Sequence, residues 1–157
     1  MPEHMSDLKI HHEVVVRGSR SEIWRLWTTT EGITEWLVKS AKIELQPYGA
    51  FELYFLPDGP IGGRGSETCQ VLAWIPEETL VISWNAPPTI PTVRDHAHKA
   101  WVVMQLNQIS EYETRVSVTH YGFLDGVDWE ATYAYFLRAW RNVLDHLADH
   151  QMKKISG

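Results

Sequence analysis

Residues 128–151 read DWEATYAYFLRAWRNVLDHLADHQ, and this stretch decides the fold. At about 100° per residue, Trp129, Tyr133, Phe136, Leu137, Trp140, Val143, Leu144 and Leu147 gather on one side. Tyr135, Arg138, Asn142, Asp145 and Asp149 gather on the other. The pattern is an amphipathic helix with an aromatic-rich buried stripe. Asp125 or Asp128 suits its start and Lys153 and Lys154 its end, in keeping with the helix dipole. Such a stripe needs a broad apolar surface to lie on, and the chain before it reads mostly as strands.

Working back to the start, residues 1–7 are expected to fray, as are 153–157. Leu8 to Arg17 alternates, with Ile10, His12, Val14 and Val16 on the better-buried face. Ser19 and Glu22 form a capping box for a helix running to about Thr29. Thr30 is expected to cap a second short helix ending near Trp36 and Leu37. Alternation then predicts strands over 39–45, 50–56, 66–74, 79–84, 100–106 and 114–121. Gln46-Pro47-Tyr48-Gly49 is the first turn, and a glycine-rich loop spans 57–65. A proline-rich connector covers 86–92. Short connections imply one antiparallel meander, so the expected architecture is a two-layer α+β domain over residues 8–152.

The 157 residues suit one domain, and 44% of them are hydrophobic. A formal charge of −6 without a basic run argues against nucleic acid as a partner. No apolar run reaches the ~20 residues of a membrane span, and the N-terminus lacks a signal-peptide core. A lone cysteine, Cys69, fits a reducing compartment. The expectation is a cytoplasmic protein without membrane contact, as monomer or homodimer.

Candidate chemistry is sparse. His96 and His98 lie in a polar loop without further ligands. His146 and His150 have i,i+4 spacing but no His-Glu-x-x-His context. No metal or cofactor is expected. Cys69 reads as a buried thiol, and no Gly-x-Ser-x-Gly elbow occurs. The glycines at 59–65 lack the Gly-Lys-Ser/Thr ending of a phosphate loop and read as a flexible hairpin loop able to gate a cavity mouth. His120 shares a strand face with Val116 and Val118, which points it toward the helix near the strand end. It is read either as a core-edge histidine satisfied by a carbonyl or as a polar contact inside a cavity. Nothing in the sequence gives it a partner for general-base work.

The layout and several local motifs resemble the activator-of-heat-shock-protein-90-ATPase homologue family, part of the START/SRPBCC helix-grip superfamily. The residues that carry the resemblance are Ser21-Glu22-Ile23-Trp24 with Thr28 to Trp36, Pro47-Tyr48-Gly49-Ala50-Phe51, and Val71 to Pro76 with Leu80 to Trp84. Val118 to Phe123 and Trp140 to Leu147 complete the set. Ala50, Cys69 and Ala139 stand where the family usually has glycine. The resemblance implies a curved antiparallel sheet gripping the long C-terminal helix, in the order β-α-α-β-β-β-β-β-β-α.

It also implies a cavity between helix and sheet. Phe51, Phe55, Trp84, Met104, Tyr133 and Phe136 are expected to face inward, and Trp27 and Trp36 to close one end. This aromatic set is read either as simple core packing or, together with His120 and Tyr133 as orienting polar groups, as the candidate ligand-binding residues of a partly open apolar pocket. A hydrophobic or aromatic small molecule is the expected partner. The alternatives are a cyclase- or hydrolase-like enzyme, with no catalytic residue assigned, and a co-chaperone-like stress-response protein acting on a heat-shock-protein-90 ATPase.

Overall fold

A computed structural model describes residues 4–156. Its elements run β1 (Ile10–Arg17), α1 (Arg20–Thr28), α2 (Thr30–Trp36), β2 (Ser40–Ile43), β3 (Phe51–Tyr54), β4 (Val71–Ile75), β5 (Thr79–Trp84), α3 (Pro91–Arg94), β6 (Ala100–Ser110), β7 (Glu113–Tyr121) and α4 (Val127–Ser156). All the strand pairs are antiparallel. The expected curved sheet under a long C-terminal helix is present, and Trp129, Phe136, Trp140, Leu144 and Leu147 are all buried beneath that helix.

The sheet differs from one continuous meander. Five strands pair in the order β1-β7-β6-β5-β4, and β2-β3 form a separate ribbon. Isolated bridges at Ala50–Gln70 and Tyr54–Gly65 join the ribbon to the segment between β3 and β4. The strand expected from Ser66 begins only at Val71, because residues 66–69 are used differently. The Ser66 hydroxyl donates to Phe51 O and accepts from Leu53 N, and Thr68 takes a left-handed φ of 71°. The alternation in 66–70 comes from a turn laid against β3.

β7 is an interior strand, between β1 and β6. His120 pairs with Ile10 on one side and Val102 on the other, and Val116 and Val118 are fully buried below it. The period-of-two reading therefore holds, and the histidine lies under α4.

The helix starts show smaller differences. Ser19 caps α1 by accepting from Glu22 N, one half of the expected capping box, while the Glu22 carboxylate accepts from Lys154 Nζ. Thr29, not Thr30, caps α2 by accepting from Gly32 N at 2.9 Å. Thr30 is freed to accept from Ile43 N and so ties α2 to β2. The connector at 86–92 leads into a single helical turn, α3, with Pro91 at its start. Asp128 accepts from Thr92 Oγ1 at 2.5 Å, which joins α3 to α4. Leu137, counted in the buried stripe, is 38% exposed. It sits on the flank of α4, where its carbonyl accepts from His12 Nε2 at 2.7 Å.

Part of the expected fraying, residues 1–3 and 157, lies outside the described residues. Of the rest, Ser6 N donates to Phe123 O, Asp125 N donates to His4 O, and Lys153 to Ser156 continue α4.

Candidate functional site

The site forms where the middle of α4 passes the end of β5 and the loop after β3. Two adjoining hollows lie there, of about 160 Å³ and about 140 Å³. Phe55, Trp84, Tyr135 and Phe136 line both, so they are two lobes of one groove. The outer lobe is closed by the loop, Asn85 to Pro88 and Arg94. The inner lobe runs along Ala139, Trp140 and Val143 toward Leu37 and Leu53. The walls are almost wholly apolar, which suits a guest that gains by leaving water.

The loop owes its shape to the buried Arg94 and the half-buried Glu67. The Glu67 carboxylate accepts from the backbone N–H groups of Gly62, Arg64 and Gly65. Burial pushes the Glu67 pKa up, but these three donors and nearby Arg94 prevail and hold it below the usual carboxylate range. Arg94 donates to Gly62 O at 2.7 Å, Gly65 O at 2.8 Å and Ala86 O at 2.7 Å, and it pairs with Glu67 at 3.4 Å. Asn85 Nδ2 adds a bond to Glu67 O at 2.7 Å. The expected flexible loop is thus stapled to the end of β5 and to α3.

Gly65 makes this approach possible, since a Cβ there would lie 1.9 Å from Leu53 O. Among the described residues no group of histidine, cysteine and acidic side chains is arranged to hold a metal ion.

The candidate residues divide. Phe55, Trp84 and Phe136 line the groove. Phe55 is 49% exposed, because β3 ends at Tyr54 and the alternation that placed it inward stops there. Trp27 and Trp36 pack edge to face at 5.2 Å in the closed end of the core, where Trp36 Nε1 donates to Leu26 O. Phe51 and Met104 are buried core, with Phe51 behind Trp84 at 6.3 Å. Tyr133 is half-buried and meets the Phe123 ring at 5.6 Å. None of these five lines the groove.

Sequence reasoning misses Tyr135 and Arg94. Helical periodicity puts Tyr135 on the opposite face of α4. It is 45% exposed and rims the groove from the flank, as a long ring at the edge of a stripe can. Arg94 sits in a stretch that reads as a polar loop. Its one legible signal is a lone arginine between a proline-rich connector and two histidines.

His120 is deeper. Its Nδ1 accepts from Trp140 Nε1 at 3.0 Å, and the rings of Phe123 and Phe136 lie 4.6 and 5.1 Å away. Among the described residues nothing accepts from its Nε2. Burial pushes its pKa down to about 3, so the ring stays neutral at physiological pH and is a weak base. The carbonyl partner weighed from sequence is replaced by an indole. Burial likewise pushes the Cys69 thiol up to about 12, which keeps it protonated. The arrangement offers apolar contact, aromatic faces and one buried imidazole.

Comparison with known proteins gives a consistent result. The family model described as "Activator of Hsp90 ATPase homolog 1-like protein" matches residues 17–151. No curated protein matches the chain. A crystal structure of a protein from Mesorhizobium loti superimposes with a TM-score of 0.71 at 20% identity, covering 93% of this chain and 98% of that one. The Aha1 dimer from Colwellia psychrerythraea gives 0.66 at 19% identity, covering 92% and 96%. An HSP90 activator from Plasmodium falciparum gives 0.52 at 17% identity, covering 72% and 73%. At these identities the structures speak to the fold alone.

Proposed function

The chain belongs to the activator of Hsp90 ATPase homolog 1-like family, and on that premise we propose that its groove binds an apolar, aromatic small molecule. One observation carries the reading. Trp84, Tyr135 and Phe136 surround a hollow that stays open to solvent, in a molecule whose other large rings are mostly packed against one another. An apolar hollow of this kind gains free energy by exchanging water for an apolar guest. Because the Trp84 and Trp140 rings meet at 5.4 Å, tilted by 45°, along its wall, a guest changes their emission. Titration of a panel of one- and two-ring hydrocarbons and ketones should quench tryptophan fluorescence and raise the melting temperature. A flat response across the panel at saturating concentrations ends the reading.

A second reading is a contact with an ATPase of the heat-shock-protein-90 class. It is favoured by the family description and by the Plasmodium activator of similar fold. Its test is the chaperone's ATPase rate with this protein added in excess, where an unchanged rate excludes it.

A further inference from the structure

Among the described residues, the Nε2 of His120 is one of several buried polar atoms without a hydrogen-bond partner, Trp27 Nε1 being another, and it is the one that borders an inner space. An indole N–H can only donate, so His120 Nδ1 must be the acceptor in the Trp140 bond at 3.0 Å. In a neutral imidazole the proton then sits on Nε2, and that tautomer is set by chemistry. The result is a donor in a ring that is 1% exposed, with nothing among the described residues to receive it. Leaving such a donor unmatched is costly, and an acceptor brought to it is correspondingly favoured.

The position of the ring shows how an acceptor could reach it. His120 lines a small inner space of about 10 Å³, shared with Trp84, Phe136, Trp129 and Thr132. That is about the least room that takes one water or one oxygen atom. Trp84 and Phe136 line this space and both lobes of the groove. Two rings, Trp84 and Phe136, thus stand between His120 and the groove, and the Phe136 ring centre lies 5.1 Å from that of His120. Reaching His120 from the groove requires one of these two rings to turn aside.

We propose that the His120–Trp140 pair makes the groove selective for apolar ring compounds that carry a hydrogen-bond acceptor, a ketone-type carbonyl oxygen above all. The inference rests on the groove being a ligand site. The rings of the guest lie among Trp84, Tyr135 and Phe136, and its oxygen accepts from His120 Nε2. The indole fixes the polarity of the site, because a guest presenting only N–H donors would leave two donors facing each other.

The probes are 1-indanone and indane, which share a skeleton and differ at the carbonyl. By fluorescence titration the ketone should bind about three- to tenfold more tightly than the hydrocarbon, the range of one net hydrogen bond. In His120→Leu the preference should reverse, since the carbonyl then leaves water without a partner while indane keeps its contacts. Because that variant also strands Trp140 Nε1, a second measurement uses the unaltered chain. The 15N-detected imidazole signals of His120 should show the Nε2–H tautomer and shift with 1-indanone but not with indane. Equal affinities, or a His120 signal indifferent to bound ketone, overturns the proposal and leaves the groove standing. Binding of neither probe overturns both.

Discussion

The two halves of α4 meet opposite surroundings. Toward its C-terminal end, Leu144 and Leu147 are fully enclosed, and Ile23, Leu26 and Ile33 from α1 and α2 are equally sealed. Outside that core, Glu22, Arg25, Glu35 and Lys154 link α1, α2 and α4 with surface ion pairs. Farther back along the helix, Tyr135 and Phe136 face a hollow, and the wall opposite is a loop held by the buried Arg94 and its ion partner Glu67. One half is closed by side-chain packing, the other is shaped by hydrogen bonds to backbone carbonyls. The difference explains how one helix anchors the fold and still offers a site.

The sharpest way to break this contrast is Arg94→Ala. It removes the donors to three carbonyls and leaves the half-buried Glu67 with its backbone donors alone, a change worth about 2–4 kcal/mol. Urea denaturation should show that loss, together with a blunted response to groove ligands. Leu147→Ala tests the other half. Its cost should be about 3 kcal/mol with ligand affinity retained, since the cavity forms away from the groove. If both variants lose binding in proportion to stability, the two halves are not separable.

Acid should act through both halves. Glu67 has a folded pKa below its unfolded one, so its contribution is complete above about 4.5 and is lost as pH falls through the folded value. His120 acts from higher pH. Unfolded, it takes a proton near 6.5, but folded only near 3, so protonation favours unfolding progressively below 6.5. His150, also lowered by burial and then by Lys154, adds to the same limb. The urea midpoint should fall steadily from pH 7 to 4, and His120→Leu should flatten its upper part.

Smaller effects refine the comparison. Thr29→Ala removes the α2 cap at the closed end and should cost about 1 kcal/mol in a thermal melt. Tyr135→Ala should change stability by less than about 0.5 kcal/mol, as exposed positions do, yet weaken binding of apolar ring compounds. That dissociation would mark Tyr135 as a groove residue.

The same contrast governs what is legible in the sequence. Packing-driven parts follow a period, so α4, α1 and the strands β1, β5, β6 and β7 can be read from hydrophobic spacing. His120 can be placed under α4 for the same reason, but its bond to Trp140 crosses two elements and leaves no local trace. The loop half has no period. Glu67 and Arg94 act on backbone groups of Gly62, Gly65 and Ala86, and one turn of helix at α3 is too short to announce itself. Phe55 and Tyr135 are misplaced at points where a regular pattern stops or reaches its flank.

Gly65 carries a last consequence. The outer wall of the groove stands where it does because position 65 lacks a methyl group, and Leu53 O occupies the space that one would need. Alanine there would lift the strap off its neighbouring strand and turn its carbonyl away from the guanidinium. Recutting the doorway for a different guest is therefore open at the bulky rim residues and closed at this bare one.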